Sequence, residues 1–313
     1  MSKKCRLVTT SMAAIRAGKS QRGMMDAGLE LIDSVAGYKP DLICFPEGFL
    51  RSGGDRSAWE EINAETERRF GEKAAELGCY IMFSIYEPAE IFEGYKYNTE
   101  LIYDRSGKCV LRYHKRHTVY GETTVSKVLP GREIPIAETD FGRVACLTCF
   151  DIGWRETWAE LARRGAELVV WNAAYNGGNL LETYAAHNMY YVASTVRDDR
   201  AKIVDPTGMT IASSSRWNAI CMADINLSTT IFHIDRQYQK IDKVRAALGD
   251  RVHIVSHGEE NIFTIATNDD EWPIERICRE FGLQTYKDYH AEAAFMQQEW
   301  RDRMKRAAAE AGK

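Results

Sequence analysis

The sequence lacks the long apolar runs, the excess of positive charge and the phosphate-binding motifs that mark several large classes of protein. Its longest apolar runs, such as residues 168–171, have the length of a strand and are too short to cross a bilayer. The net charge of −4 provides no basic field for nucleic acid or anionic lipid. Neither a Gly-x-Gly-x-x-Gly nor a P-loop pattern is found. We therefore expect no membrane partner and no nucleic-acid partner.

Cysteine is also sparse, with eight residues scattered over 313 positions. Several of them lie inside apolar runs, which is typical of reduced, buried thiols rather than of a disulfide framework. Residues 1–5 lead into a strand-like segment without the apolar h-region of a signal peptide. Hydrophobic residues make up 45% of the chain, enough for a substantial core. These features predict a globular, cytoplasmic protein.

Strand and helix patterns alternate through the first three-quarters of the chain. Strands are predicted at residues 6–10, 42–45, 80–85, 98–103, 109–113, 143–148, 167–171 and 219–225. Helices are predicted at residues 20–36, 59–77, 154–164 and 182–193. Because several hairpins interrupt the alternation, the pattern indicates sheets covered by helices rather than one all-parallel sheet.

The chain changes character near residue 230, which divides it into an expected domain at residues 1–230 and an extension at residues 231–313. The extension is rich in charged residues and ends in a helix pattern at residues 289–309. The large apolar residues of that helix are Phe295, Met296, Trp300 and Met304. We expect the extension to pack on the domain or to form part of a subunit interface.

Three predicted strands are each followed by a reactive side chain, namely Glu47, Lys115 and Cys149. A thiol attacks a carbonyl or nitrile carbon, a carboxylate moves protons, and a cation stabilises the oxyanion that forms. Together the three groups are the parts of a thiol-based acyl-transfer site. Since Cys149 lies on a turn between a strand and a helix, near a lysine, its position is also expected to favour the thiolate.

Other interpretations of the same residues are open. Glu47 alone fits a surface turn, Lys115 alone fits a solvated lysine, and most free cysteines are buried structural residues. A zinc site could combine His114 and His117 with Cys146 and Cys149. Against zinc, Cys146 is expected to point from its strand into a layer of the fold, away from Cys149. A redox Cys-x-x-Cys pair is less favoured because the Trp-Cys-Gly-Pro context is missing, and we expect neither a metal nor a cofactor.

Taken together, these segments resemble the nitrilase superfamily of carbon–nitrogen hydrolases. The matching segments are residues 41–47, 113–115, 129–133, 141–151, 161–167 and 205–208. They occur in the family's order and extend the resemblance over residues 5–228. The resemblance implies an α/β fold, a four-layer α-β-β-α sandwich of the carbon–nitrogen hydrolase type. It also implies a homodimer or a higher homo-oligomer, assembled through helices near the nucleophile.

The resemblance also implies a role for individual residues. Cys149 is the implied nucleophile, and Glu47 is the implied general base and later the acid. Lys115 is the implied oxyanion-stabilising cation, and the backbone N–H of Phe150 completes the oxyanion hole. Glu122, between the lysine and the cysteine, corresponds to the family's second glutamate.

Residues near these motifs are candidates for contact with a substrate. The candidate pocket walls are the aromatic residues Tyr120, Trp154, Trp171 and Tyr175, which fit a hydrophobic core equally well. Asn172 and Arg197 are candidate polar contacts. Family members that cleave N-carbamoyl amino acids bind the substrate carboxylate with arginines just after the nucleophile, whereas Ile152 and Gly153 occupy those positions here.

The hypothesis is therefore a cysteine-dependent amidohydrolase that cleaves a non-peptide C–N bond in a small amide or N-carbamoyl compound. The reaction would pass through a thioester and release ammonia or an amine. Two alternatives stay open. One is a nitrilase, which uses the same three residues to convert a nitrile to a carboxylic acid. The other is a non-catalytic relative that serves as a binding protein.

Overall fold

The computed structural model describes residues 3–12, 20–50 and 56–311, which form two compact units. The first unit runs from Lys3 to Leu227, and the second starts at Ser228. None of the described helices is both long enough and apolar enough to span a bilayer.

The first unit is built from twelve described strands and five described α-helices. The strands are β1 (Lys4–Thr10), β2 (Leu42–Cys44), β3 (Tyr80–Pro88), β4 (Lys96–Tyr103), β5 (Cys109–His114), β6 (Ile136–Thr139), β7 (Gly142–Thr148), β8 (Leu168–Ala173), β9 (Tyr191–Val196), β10 (Lys202–Val204), β11 (Thr210–Ser213) and β12 (Ile220–Asn226). The helices are α1 (Gln21–Ala36), α2 (Arg56–Leu77), α3 (Tyr120–Thr124), α4 (Arg155–Arg163) and α5 (Leu180–Asn188).

These strands form two six-stranded sheets with the same plan. The strand order is β12-β1-β2-β3-β4-β5 in the first sheet and β11-β10-β9-β8-β7-β6 in the second. The central strands β1, β2 and β3 are parallel, as are β7, β8 and β9, whereas the outer strands pair antiparallel. Parallel central strands bring their carboxyl ends to one edge of each sheet, where α/β proteins usually place functional residues.

Successive side chains of each strand point to opposite faces of its sheet, so their contacts show which layer covers each face. In β2, Leu42 and Cys44 belong to the core between the two sheets, whereas Ile43 packs with residues of α1 and α2. The second sheet is covered by α4 and α5, whose Trp158 and Tyr184 stack on each other with ring centroids 4.3 Å apart. The four-layer α-β-β-α sandwich is therefore confirmed.

Most predicted strands and helices match the described ones to within a few residues, but the helix predicted at residues 182–193 is wrong at its end. Helix α5 ends at Asn188, and Met189 adopts the left-handed conformation with φ 58°. Residues 191–196 instead form β9, every residue of which is buried. Burial in the middle of the second sheet outweighs the helical pattern there.

The second unit has its own small core. Its strands are β13 (Thr230–His233), β14 (Val252–His257) and β15 (Ile262–Thr267), in the order β13-β15-β14. Its helices are α6 (Ile241–Leu248), α7 (Ile274–Phe281) and α8 (Tyr286–Ala311). The helix predicted at residues 289–309 lies within α8, whereas the sheet and the other two helices were not predicted. Phe232 and Phe263 stack at the centre of this core, 5.2 Å apart.

Gly131 lies next to the end of β5 in space, and its replacement tests the packing that positions Lys115. The N–H of Gly131 donates to the carbonyl oxygen of Lys115 at 2.8 Å, and a Cβ at Gly131 would lie 2.1 Å from the carbonyl oxygen of His114. Because both contacts involve backbone, Gly131→Ala has to displace the end of β5, and we expect it to lower the free energy of unfolding by about 1–3 kcal/mol.

Urea unfolding measures this effect, with Gly37→Ala as the matched control. Gly37 follows α1 with φ −61°, and nothing lies within 4 Å of a Cβ built there. The control should stay within about 0.5 kcal/mol of the wild type. Equal effects of the two substitutions would contradict the packing described for Gly131.

Candidate active site

Lys115 is the most deeply buried cation of the site, with 1% of its surface exposed. It follows directly after β5, where its backbone N–H donates to the carbonyl of Asn98 at 2.8 Å. Its ammonium Nζ donates to Glu47 Oε1 at 3.1 Å and to the two carboxylate oxygens of Glu122 at 2.9 and 2.8 Å. The predicted lysine and both predicted glutamates thus meet in one buried ion cluster.

Glu47 lies in a tight turn after β2 and is 3% exposed. The next residue, Gly48, has φ +60°, a conformation that favours glycine. Asn98 Nδ2 donates to Glu47 Oε1 at 2.9 Å, so one asparagine contacts both Glu47 and the backbone of Lys115. Arg197 Nε donates to the Glu47 backbone oxygen at 2.7 Å, and its guanidinium lies 3.6 Å from Oε2. Three side chains, those of Lys115, Asn98 and Arg197, therefore orient this carboxylate.

Glu122 reaches Lys115 from α3, a helix of a single turn. Its Oε2 also accepts a hydrogen bond from the backbone N–H of Val119 at 2.8 Å, at the start of the helix. A carboxylate at a helix N-terminus satisfies an N–H that has no partner within the helix. The same side chain therefore caps α3 and neutralises part of the charge of Lys115.

Cys149 follows β7 and opens a 3-10 helix, Cys149–Gly153. It has φ +48°, an uncommon conformation for a residue other than glycine and one often found where a functional side chain is held. The indole Nε1 of Trp171 donates to the Cys149 carbonyl oxygen at 3.0 Å and fixes the turn. Phe150 follows in the first turn of the 3-10 helix, where a backbone N–H has no acceptor within the helix.

Asp151 connects the turn at Cys149 to the segment that carries Lys115, a role that the sequence did not reveal. Its fully buried carboxylate accepts from the backbone N–H of Thr148 at 2.8 Å and from the backbone N–H of His117 at 2.9 Å. The hydroxyl of Tyr113, in β5, also donates to it. The only signal in the sequence is the acidic residue two positions after Cys149.

Burial and charge set the protonation of the two reactive groups. Burial lowers the pKa of the Lys115 ammonium, but the charges of Glu47 and Glu122 outweigh burial and hold the pKa above its ordinary value. Burial and, after it, the charge of Glu47 raise the pKa of Cys149 to about 12, because Lys115 offsets only part of their effect. The expectation that this position favours the thiolate is therefore wrong for the free site, in which the thiol keeps its proton.

Glu100 is a second carboxylate that the sequence did not identify. It lies in β4 on the strand face that points toward the second sheet, and it is completely buried. Thr148, which precedes Cys149, has its Oγ1 3.4 Å from Glu100 Oε1. Glu100 Oε2 has no hydrogen-bond partner within the part of the chain that the structure describes. Burial, together with the smaller effect of the Glu47 charge, raises the pKa of Glu100 to about 8.

The residues proposed as pocket walls and polar contacts have different surroundings. Trp154 stacks on His117 with ring centroids 4.0 Å apart and meets Phe150 edge to face. Tyr175 is 44% exposed and contacts the buried Trp171. The positions of the others are as follows: Tyr120 is 85% exposed on α3, Asn172 is completely buried in β8, and Arg197 lies beside Glu47.

A pocket of about 260 Å³ opens beside the ion cluster. It is lined by Gly48, Tyr86, Lys96, Glu122, Ser126, Val128 and Arg197. Tyr86 and Lys96 were not recognised in the sequence, because nothing in the neighbouring residues connects them with a reactive group. The pocket places two cationic side chains close to the proposed catalytic carboxylates, so it suits a small polar ligand.

The four residues of the alternative zinc site have separate contacts. The thiol of Cys146 lies 3.4 Å from the sulfur of Met82, in the core between the sheets. His114 stacks on Tyr97, and His117 Nδ1 is 2.8 Å from Asp151. Over residues 3–12, 20–50 and 56–311, no three histidine, cysteine or acidic side chains are grouped in a way that suits a metal ion.

Comparison with known proteins agrees with this architecture. The carbon–nitrogen hydrolase family model matches residues 12–232. Omega-amidase NIT2 of Xenopus tropicalis is 25% identical over 230 residues, which cover 65% of this chain and 83% of the relative. Deaminated glutathione amidase of Synechocystis is 26% identical over 229 residues, which cover 63% of this chain and 84% of the relative.

Solved structures share the fold. A carbon–nitrogen hydrolase from Helicobacter pylori G27 superposes with a TM-score of 0.65 at 16% identity, covering 79% of this chain and 93% of that protein. An amidase from Nesterenkonia sp. superposes with a TM-score of 0.63 at 18% identity, covering 77% of this chain and 96% of that protein.

The buried carboxylate of Glu100 predicts an unusual dependence of stability on pH. Between the ordinary pKa of an unfolded glutamate, about 4.3, and the folded value near 8, the folded state binds a proton that the unfolded chain releases. Stability therefore falls as pH rises through this window. The glutamine of Glu100→Gln cannot ionise, so its folded state does not lose stability in this way. For each unit that the pH rises within the window, the free energy of unfolding of the variant should increase relative to that of the wild type by roughly 1 kcal/mol.

Urea unfolding of both proteins at about pH 5, 6.5 and 8 measures this difference. Glu90→Gln, at an exposed carboxylate, is the control and should give a difference that does not change with pH. A difference for Glu100→Gln that is equally flat would show that Glu100 is ionised in the folded protein throughout this range.

Proposed function

The chain belongs to the carbon–nitrogen hydrolase family, and from this premise we propose that it is a cysteine-dependent amidohydrolase of small molecules. As a member of that family it is a hydrolase of carbon–nitrogen bonds other than peptide bonds. The proposal concerns the finer points: the cysteine mechanism, the thioester intermediate and the class of substrate.

The observation that carries the proposal is the buried ion cluster of Glu47, Lys115 and Glu122. One ammonium contacts two carboxylates, and the charges of all three act on the thiol of Cys149. An ion cluster with a purely structural role would not require a thiol next to it. A base, a cation and a nucleophile in one buried site are the groups that acyl transfer requires.

In the first half of the reaction, Glu47 accepts the thiol proton of Cys149, and the sulfur bonds to the carbonyl carbon of the amide. Lys115 and the N–H of Phe150 stabilise the negative charge that develops on the carbonyl oxygen. The C–N bond then breaks. The leaving ammonia or amine takes the proton from Glu47, and the acyl group stays on Cys149 as a thioester.

In the second half, Glu47 acts as a base toward water, which attacks the thioester carbon. The C–S bond breaks, the carboxylic acid product leaves, and the proton held by Glu47 returns to the sulfur. Glu122 keeps Lys115 charged and in place through both halves, because its two oxygens hold the ammonium when Glu47 is protonated. Cys149, Glu47 and Lys115 are therefore proposed as catalytic residues and Glu122 as a positioning residue.

The pocket of about 260 Å³ beside Glu122 and Arg197 would take one small polar group of the substrate, next to the amide that Cys149 attacks. Lys96 and Arg197 at its wall suit a substrate with an anionic or strongly polar end. Two relatives are named for amidase activity, omega-amidase and deaminated glutathione amidase, which supports an amide ahead of an N-carbamoyl compound or a nitrile. All of these residues lie in the domain proposed at residues 1–230, and residues 231–313 are proposed to form its extension.

Replacing the nucleophile should abolish turnover without unfolding the protein. We expect Cys149→Ala to reduce ammonia release by at least about a thousandfold, because the remaining groups have no atom that can form the thioester. The assay measures ammonia from a panel of amides, N-carbamoyl compounds, ureides and nitriles. Each carboxylate-bearing amide should be paired with a neutral one of equal size.

Cys109→Ala is the matched control, at a half-buried cysteine at the opposite end of β5 from Lys115. It should retain the activity of the wild type. Substantial turnover by Cys149→Ala would exclude the thioester mechanism. Turnover of nitriles alone would assign the same site to the nitrilase reaction.

A further inference from the structure

Helix α8 is attached to its own unit near its N-terminus and is exposed beyond. Tyr289 stacks on His233 of β13, with ring centroids 4.7 Å apart, and its hydroxyl donates to Asp235 at 2.9 Å. From residue 294 to residue 311, every side chain except that of Asp302 is exposed. About five turns of helix therefore present their side chains to solvent.

This exposed part carries a continuous apolar stripe. At 100° per residue, Ala293, Met296, Trp300, Met304 and Ala307 fall within an arc of about 80°. The three large residues remain 51%, 56% and 67% exposed. An amphipathic helix normally buries such a stripe, and an exposed stripe with a central tryptophan is typical of an interaction surface.

The sequence of residue types along the stripe is symmetric about Trp300. Met296 and Met304 lie four positions on either side of it, and Ala293 and Ala307 lie seven positions on either side. A two-fold axis at Trp300 would place each methionine against the methionine of another copy and each alanine against an alanine. Self-complementarity of this kind is the requirement for an isologous interface.

The charges on α8 fit the same arrangement. Before Trp300 the helix has three acidic side chains and one lysine, whereas after it there are four basic and two acidic side chains. On one flank of the stripe, Glu299 would face Arg303 of an antiparallel copy. A parallel pair would instead align the halves of like charge.

We infer that α8 pairs antiparallel with α8 of a second copy of this chain, with Trp300 on the two-fold axis. The apolar stripe forms the contact, and the charged flanks fix the direction. The contact differs from the interface near the nucleophile that the family resemblance implies, so it would add a second association surface. Its occupant is the same chain because both the apolar sequence and the charges are complementary to themselves.

Sedimentation velocity of the full chain at micromolar concentrations tests the stripe. Trp300→Glu should reduce the molecular mass by half, since it places two like charges on the axis. The control is Phe295→Glu, which changes an equally exposed aromatic residue on the opposite side of α8 and should leave the mass unchanged. Equal masses for the wild type and Trp300→Glu, or equal losses in both variants, would overturn the inference.

A charge exchange tests the direction of pairing. Glu299→Arg and Arg303→Glu should each dissociate the pair, because Arg then faces Arg, or Glu faces Glu. Mixing the two variants should restore the wild-type mass, because every facing pair in the mixed complex is again opposite in charge. If Glu299 and Arg303 instead formed an ion pair within one helix, mixing the two variants would not restore it. Failure of the mixture to associate would therefore overturn the antiparallel arrangement.

The stripe also fits the general pattern of a basic amphipathic helix at a lipid surface. Cosedimentation with vesicles of phosphatidylserine and phosphatidylcholine provides the comparison. We expect no binding that depends on Trp300. Binding that is lost in Trp300→Glu, together with an unchanged mass in solution, would assign the stripe to a membrane and overturn the inference.

Discussion

The buried ammonium of Lys115 has to be neutralised, and the arrangement of the site depends on that requirement. A charge removed from water costs several kcal/mol unless close, well-oriented partners offset the loss. Glu47 and Glu122 supply the two partners, although β2 and α3 present them from different parts of the chain. Asn98 contributes to both sides of the cluster, since its side chain holds Glu47 and its carbonyl holds the backbone of Lys115. Removing Lys115 would leave the two carboxylates without the cation that they share.

The cluster also explains why the thiol is protonated in the free site. Two carboxylates against one ammonium leave an excess negative charge beside Cys149, and burial adds to its effect on the pKa. In the mechanism that we propose, transfer of the thiol proton to Glu47 removes one carboxylate charge and creates the thiolate, so the total charge of the site is unchanged. The reactive ion is then formed next to Lys115, where its attack on a carbonyl carbon can follow. A permanently ionised thiol would be open to oxidation, which this arrangement limits.

Strand ends made much of the site predictable. Glu47, Lys115 and Cys149 each follow an apolar run, and the end of such a run is visible in the sequence. The distances within the cluster and the burial that raises the pKa of Cys149 depend on contacts between two sheets, which no local pattern reports. The same is true of Glu100, whose neighbours in β4 suggest an ordinary strand, and of Asp151, whose partners His117 and Tyr113 lie more than thirty positions away. The end of α5 was missed because tertiary burial of residues 191–196 outweighs local preference.

The most direct test of the thioester mechanism is a peptide map of the protein, quenched in acid at intervals during the first turnover of its best amide. If the thioester mechanism holds, the peptide containing Cys149 gains the mass of the acyl group as the first equivalent of ammonia appears, and hydroxylamine removes the added mass. Release of the first equivalent of ammonia from a protein whose Cys149 peptide keeps its original mass would contradict it.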